Sequence, residues 1–253
     1  MAILDGRHAL VTGGGRGIGR AIAAALSGAG AAVTVLGRTE AALKDAVAAG
    51  HARGYVVADV TDENATDLAV KQAAAARGPV DILIANAGSA VSTPFMKGTS
   101  AQFREMFDLN VMGVVHATRA VLGDMTSRGF GRIVVNSSVA GLKGYAYVTA
   151  YCMAKHAAVG FVRALAQETA KSGVTVNAVC PGYTDTDLVQ SGISHVTEKT
   201  GRSQDAALAD MLKDKPIGRL ITPEEVAAAV LFLCSPGASA ITGTTLAVAG
   251  GEM

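Results

Sequence analysis

The run His8-Ala-Leu-Val-Thr12-Gly13-Gly14-Gly15-Arg16-Gly17-Ile18-Gly19, continuing into the alanine-rich stretch from about Arg20 to Ala29, decides the fold. His8–Thr12 reads as a short buried strand, the glycines as a turn, and the alanine-rich stretch as a helix. In that order they bring the free N–H groups and the positive dipole end of a helix against backbone that has no side chains. A diphosphate can then lie close to the main chain, which is the geometry of a dinucleotide site.

The same alternation continues outward. Ala32–Leu36 reads as a second strand, Glu40 to about Ala49 as a helix and Gly54–Val57 as a third strand. A helix follows, beginning near Asp59 or Thr61 and ending at about Arg77, where Gly78-Pro79 stops it. Asp81–Ala85 is a fourth strand, and Ser100 can cap a long helix through Met106, Leu109 and Val114. The apolar run from Arg132 is a fifth strand, a helix extends from about Val148 to Ala170, and Thr175–Val179 is a sixth strand. Thr222-Pro223-Glu224-Glu225 is a capping box with Pro at the first helical position. It starts a helix to about Leu233, before a last strand at Thr244–Val248. Strands alternating with helices throughout predict an α/β fold: one doubly wound parallel sheet of about seven strands, with helices on both faces. From Asp187 to about Lys215 the chain is polar and weakly periodic, with a short helix expected at Asp205–Lys213. A segment of that length before the final helix is expected to be a substrate lid.

Composition narrows the function. The 253 residues fit a single domain with a large core. Half are apolar, and the net charge is +1. No block of like charge invites nucleic acid or a membrane surface, and no uninterrupted apolar stretch reaches the ~18 residues of a membrane span. The N-terminal residues show no secretion signal, so a soluble, cytoplasmic protein is expected. Cys152, Cys180 and Cys234 are odd in number and far apart, which argues against a disulfide framework and against a metal site.

The chemistry is expected at Ser138 and at Tyr151 with Lys155. On a helix the last two lie four apart on one face, so a phenol and an ammonium share a site. A cation beside a phenol is expected to lower its pKa toward the range useful for acid catalysis. Ser138 follows the fifth strand directly, where its hydroxyl can hold the same carbonyl oxygen.

With Thr12-Gly-x-x-x-Gly17-x-Gly19, Asn86-Ala87-Gly88, Ser138 and Tyr151-x-x-x-Lys155 in order, the chain resembles the short-chain dehydrogenase/reductase family over essentially its whole length. The resemblance implies a Rossmann-like fold. It implies Asn110, Ser138, Tyr151 and Lys155 as catalytic residues, with Asn110 holding a helix break and a water that relays protons to Lys155. For the cofactor it implies Gly13, Gly15, Arg16, Gly17, Ile18 and Gly19 around the pyrophosphate, and Asp59 and Val60 beside the adenine. Asn86, Ala87 and Gly88 border its path. Tyr151, Lys155, Pro181, Gly182, Thr184 and Thr186 surround the nicotinamide end. Gly37 stands where the family usually places the acid that binds the ribose hydroxyls and repels a 2′-phosphate. Arg38 follows, and with Arg16 it can flank that phosphate, so NADP(H) is expected in preference to NAD(H).

The four-residue Tyr–Lys spacing differs from the wider one of enoyl reductases, which leaves hydride transfer at a carbonyl carbon. Asn136-Ser-Ser, Val-Cys180-Pro-Gly and Pro216-Ile-Gly-Arg219 resemble 3-oxoacyl-thioester and polyketide ketoreductases. Reductases of acyl carrier protein tend to have arginines where Gly129 and Ser172 stand, with Arg128 and Lys171 one residue away here. This favours a CoA thioester or a smaller ketone, with a secondary-alcohol or cyclic-ketone dehydrogenase as the alternative. A non-catalytic NADP-binding regulator would be expected to lack the Ser–Tyr–Lys set. A homotetramer or homodimer is expected, because the Tyr151 helix is apolar on more than one face.

Overall fold

The computed structural model describes residues 2–252, without the side chains of residues 195, 196, 199 and 200. Seven strands form one sheet: β1 (His8–Thr12), β2 (Ala32–Gly37), β3 (Gly54–Val57), β4 (Ile82–Ala85), β5 (Gly131–Asn136), β6 (Val174–Pro181) and β7 (Thr245–Val248). Their order is β3-β2-β1-β4-β5-β6-β7, and every pairing is parallel. The direction of winding reverses between β1 and β4. A crevice therefore opens beyond their carboxyl ends, where α/β sheets bind ligands.

Helices α1 (Gly17–Gly28), α2 (Glu40–Ala48) and α9 (Pro223–Cys234) cover one face. Ala9, Val11, Val33, Val35, Ile82 and Ile84 point to it and pack on Ile22, Leu26, Leu43, Val226 and Val230. The alternate strand residues Leu10, Leu36, Leu83, Ile133 and Val176 point the other way. They meet α3 (Glu63–Arg77), α5 (Gly113–Arg128) and α6 (Thr149–Thr169). The two-residue period of a strand thus divides its apolar side chains between two separate cores.

The capping chemistry operates largely as the sequence implied. Thr222 and Glu225 form a reciprocal capping box on α9, with Pro223 at its first position. Helix α4 (Ser100–Phe107) is capped one residue earlier than expected, by Thr99 in a box with Gln102. Neither Asp59 nor Thr61 begins α3; the Asp62 carboxylate accepts from Ala65 N–H and takes that role. Helix α1 begins at Gly17, ahead of the expected Arg20, because the last turn of glycines already follows the helix.

Between α4 and α5, Asp108–Met112 widens into a π-turn, the helix break that the resemblance placed at Asn110. One departure is larger. In the 187–215 stretch, α7 (Asp187–Thr200) precedes α8 (Gln204–Leu212), and only the second was expected. Gly192 and the β-branched Val189 and Ile193 weaken the helical signal of α7, whereas Ile193 is buried at 3% exposure and supplies tertiary support. No helix among the described residues is long and apolar enough to cross a membrane.

Leu83 lies at the centre of β4 with no exposed surface. Leu83→Ala is expected to destabilise the protein by roughly 2–5 kcal/mol, lowering the urea midpoint at unchanged slope.

Candidate active site

The carboxyl end of β1 is tied to that of β4 by hydrogen bonds of the Thr12 and Asn86 side chains. The Thr12 hydroxyl accepts from the backbone N–H groups of Asn86 and Ala87, each at 3.0 Å. Asn86 Nδ2 donates to the carbonyls of Thr12 (2.9 Å) and Gly13 (3.3 Å), and Asn86 Oδ1 accepts from Asn136 Nδ2 at 2.8 Å. The Asn136 carbonyl in turn accepts from Lys155 Nζ at 2.9 Å. Thr12, Asn86 and Asn136 thus form one polar chain from the glycine turn to Lys155.

Crowding explains the glycines of the turn. A Cβ on Gly19 would lie 2.3 Å from the Gly13 carbonyl oxygen and 2.4 Å from Asn86 Nδ2. Gly17 has φ +52°, and a Cβ there would meet the Thr186 methyl at 3.4 Å. Arg16 precedes α1 without capping it by a side chain, and the first turn of α1 contains no acid. Uncapped N–H groups facing a glycine turn fit the diphosphate of a dinucleotide. Ile18 packs against the core beneath the turn, while Gly13 and Gly15 face Ala87 and Ala42.

At the other end of this crevice Arg38 is exposed and sits 3.5 Å from Asp59 Oδ2. Asp59 also accepts from the N–H and hydroxyl of Thr61. Burial pushes the Asp59 carboxyl up, but Thr61 and Arg38 more than reverse this and leave it lowered. Val60 is buried, and its carbonyl meets the His116 ring at 2.9 Å. It presents backbone rather than side chain.

Ser138 follows β5 in an extended conformation, and its hydroxyl accepts from Ala140 N–H at 3.1 Å. Tyr151 and Lys155 lie in the first two turns of α6, as the four-residue spacing requires, with Lys155 Nζ 5.6 Å from the Tyr151 ring centre. Lys155 is buried at 5% exposure. The expected lowering of the Tyr151 pKa is not found. Burial raises it to about 12 and outweighs the Ser138 hydroxyl, which works the other way. Lys155 is itself pushed down to about 8 by burial. Desolvation of the charged form is the largest cause of both shifts.

Asn110 explains the π-turn. Its Nδ2 donates to the Met106 carbonyl, the acceptor four residues back that an α-helix would use, and to the Ser89 carbonyl, both at 3.0 Å. Its Oδ1 is buried without a hydrogen-bond donor among the described residues. A Cβ on Gly88 would lie 2.7 Å from that oxygen and 3.5 Å from Lys155 Nζ, so Gly88 keeps the path between them open. Pro181 ends β6, and Gly182 N–H bonds to the Val248 carbonyl at 3.1 Å. Thr184 is buried and bonds to the Gly182 carbonyl, whereas Thr186 reaches the glycine turn. Hydrogen bonds and close approaches thus join Thr12, Gly13, Gly19, Asn86, Asn136 and Lys155, with Gly88 between Asn110 and Lys155 and with Arg38 beside Asp59.

Asn136 and Thr12 were not singled out for a role. Their positions at strand ends, directly before Ser137-Ser138 and Gly13, are the signal that marks them. Glu252 gave no local signal.

A family model described as Enoyl-(Acyl carrier protein) reductase matches residues 13–252. An acetoacetyl-CoA reductase of Rhizobium meliloti (strain 1021) is 41% identical over 250 residues, covering 97% of this chain and 98% of that protein. The crystal structure of a variant of the actinorhodin polyketide ketoreductase with NADPH superposes with a TM-score of 0.94 at 36% identity, over 99% of this chain and 98% of that one. Levodione reductase superposes with a TM-score of 0.93 at 30% identity, over 98% of each chain. The chain belongs to the short-chain dehydrogenase/reductase family and is an oxidoreductase.

Lys155 yields a pH dependence. Its pKa falls from 10.5 to about 8 on folding, so across that window the unfolded chain holds the extra proton and stability rises with pH. Urea unfolding should show the wild type gaining stability relative to Lys155→Met as pH rises from about 8 to about 10. A constant difference between the two would disprove the shift.

Proposed function

We propose that this protein is an NADP(H)-dependent ketoreductase whose substrate is a 3-oxoacyl thioester of CoA, acting in the cytoplasm as a homodimer or homotetramer. The observation that supports it most is the set of half-buried Ser138 and Tyr151 with buried Lys155, joined through Asn136 and Asn86 to an uncapped glycine turn. The cofactor, when bound, supplies hydride to the carbonyl carbon.

The chain's own groups do the rest. The Ser138 and Tyr151 hydroxyls hold the carbonyl oxygen, and Tyr151 donates a proton to it. With its pKa at about 12, Tyr151 is fully protonated at neutral pH and so is always ready as the donor. Lys155, at about 8, lies close enough to neutrality to pass a proton back to it. Asn110 Oδ1 faces Lys155 across Gly88 as an acceptor for a water relay. The 187–215 segment covers the substrate, and Tyr145, Tyr147, Tyr183, Ile193 and Met211 are its candidate neighbours.

CoA is preferred to a carrier protein because of Arg128. Its guanidinium is held by Asp81 at 2.6 Å, by Asp124 at 2.8 Å and by the Val80 carbonyl, so it does not substitute for an exposed arginine at Gly129. The likeness to acetoacetyl-CoA reductase points the same way. The likeness to levodione reductase keeps a cyclic ketone as the second reading.

The test is oxidation of NADPH and of NADH with acetoacetyl-CoA, ethyl acetoacetate and cyclohexanone in parallel. Fast turnover of the CoA ester with NADPH is expected, and turnover of the small ketones alone would give the second reading. Tyr151→Phe should reduce turnover by about 10²–10⁴-fold while NADPH still binds. Wild-type turnover by that variant would refute the role of the phenol.

Cofactor choice has its own test. A Cβ on Gly37 would have Leu43 Cδ2 at 3.5 Å as its neighbour, an ordinary contact, so an aspartate fits there. Gly37→Asp is expected to raise the KM for NADPH and move the preference toward NADH. An unchanged ratio of kcat/KM for the two cofactors would mean that this position does not read the 2′-phosphate.

A further inference from the structure

We propose that Glu252 is a positioning residue of the ketone pocket: its carboxylate latches Lys215, at the exit of the 187–215 segment, to Tyr145, in the loop between Ser138 and Tyr151. The proposal rests on the ketoreductase reading for the location of the pocket, and on the following contacts for everything else.

Glu252 is buried at 4% exposure, in the stretch that follows β7. A carboxylate buried there is stable only with charged or hydrogen-bonding partners, and three converge on its Oε1. The Tyr145 hydroxyl and Lys215 Nζ both donate to it, and Lys143 Nζ lies 3.4 Å away. Burial pushes the Glu252 carboxyl up, but Lys215, Tyr145 and Lys143 reverse this and hold it below the ordinary range. Lys215 Nζ also stands 5.2 Å over the Tyr145 ring and 4.9 Å over that of Tyr183, which follows Pro181-Gly182.

The backbone is built to deliver the carboxylate to this place. Gly250 and Gly251 take φ of +56° and +90°, and Glu252 N–H closes the turn on the Ala249 carbonyl at 3.1 Å. A Cβ on Gly250 would run into Ile217 at 2.4 Å, so the turn packs directly beneath the residues after Lys215. A Cβ on Gly182 would come within 3.6 Å of Glu252 Oε2, beside the proposed nicotinamide residues.

Both ends of the 187–215 segment are thereby anchored at the site by different means. At its entry the main chain does this, with Asp185 N–H bonded to the Ile221 carbonyl and Ile221 N–H to that of Tyr183. At its exit a charged side chain reaches across to the substrate loop. No hydrogen bond or ion pair among the described residues joins Glu252 to Tyr151 or Lys155, so loosening it should alter how the ketone is held without altering the proton donor.

The test compares Glu252→Gln, Lys215→Met and the double variant. Each single change should raise the KM of the ketone by about tenfold while kcat and the Kd for NADPH stay within about twofold. The double variant should be no worse than the singles, since both remove one interaction. Tryptic cleavage after Arg202 and Lys213, followed without substrate, should become severalfold faster in both. The kinetics are read on whichever ketone the wild type reduces, so failure of the thioester reading leaves this test intact. Unchanged KM with unchanged cleavage overturns the latch. So does a joint fall of kcat, NADPH affinity and melting temperature, which would make Glu252 a structural residue only.

Discussion

The structure depends on the hydrogen-bond chain that runs across the carboxyl ends of β1, β4 and β5. Thr12 holds Asn86, Asn86 holds Asn136, and the Asn136 carbonyl holds Lys155. Each of these groups sits at the end of an apolar strand, where main-chain polar groups leave the ladder and need partners. The chain supplies those partners and at the same time joins the two functions of the crevice. The glycine turn is at one end of it and the Tyr151 helix at the other. Because every link is short, the relative position of the glycine turn and the Tyr151 helix is set by the sheet itself.

Burial and chemistry are coupled by the same arrangement. A lysine enclosed at 5% exposure with a carbonyl as its partner has its pKa pushed down to about 8 by burial. A tyrosine in the same layer is kept protonated. The cost of desolvating each charged form, rather than the pairwise attraction that helical spacing suggests, sets the shift of both groups. At the π-turn, Asn110 Nδ2 takes the Met106 carbonyl that regular helix geometry would use, and its Oδ1 stays buried without a donor among the described residues.

Away from the sheet, the 187–215 segment is held by longer-range and more ionic contacts. Helices α7 and α8 are tied to the rest of the chain by main-chain bonds at Ile221 and by the cluster around Glu252.

The sequence by itself determined the alternation of strands and helices, the parallel sheet, the glycine turn, and the sharing of one helix face by Tyr151 and Lys155. These depend on local periodicity and on steric rules that act within a few residues. Gly37 beside Arg38 was equally legible, since the absence of a carboxylate is a local fact. Tertiary structure alone decided which charges pair and how far burial moves them. It tied Arg128 to Asp81, paired Glu252 with a lysine 37 residues away, and reversed the expected shift of Tyr151. It also made a helix of 187–200, where buried Ile193 outweighs a weak local preference. Desolvation and long-range pairing depend on what the rest of the chain places around a group, and that is known only once the two cores have closed on the sheet.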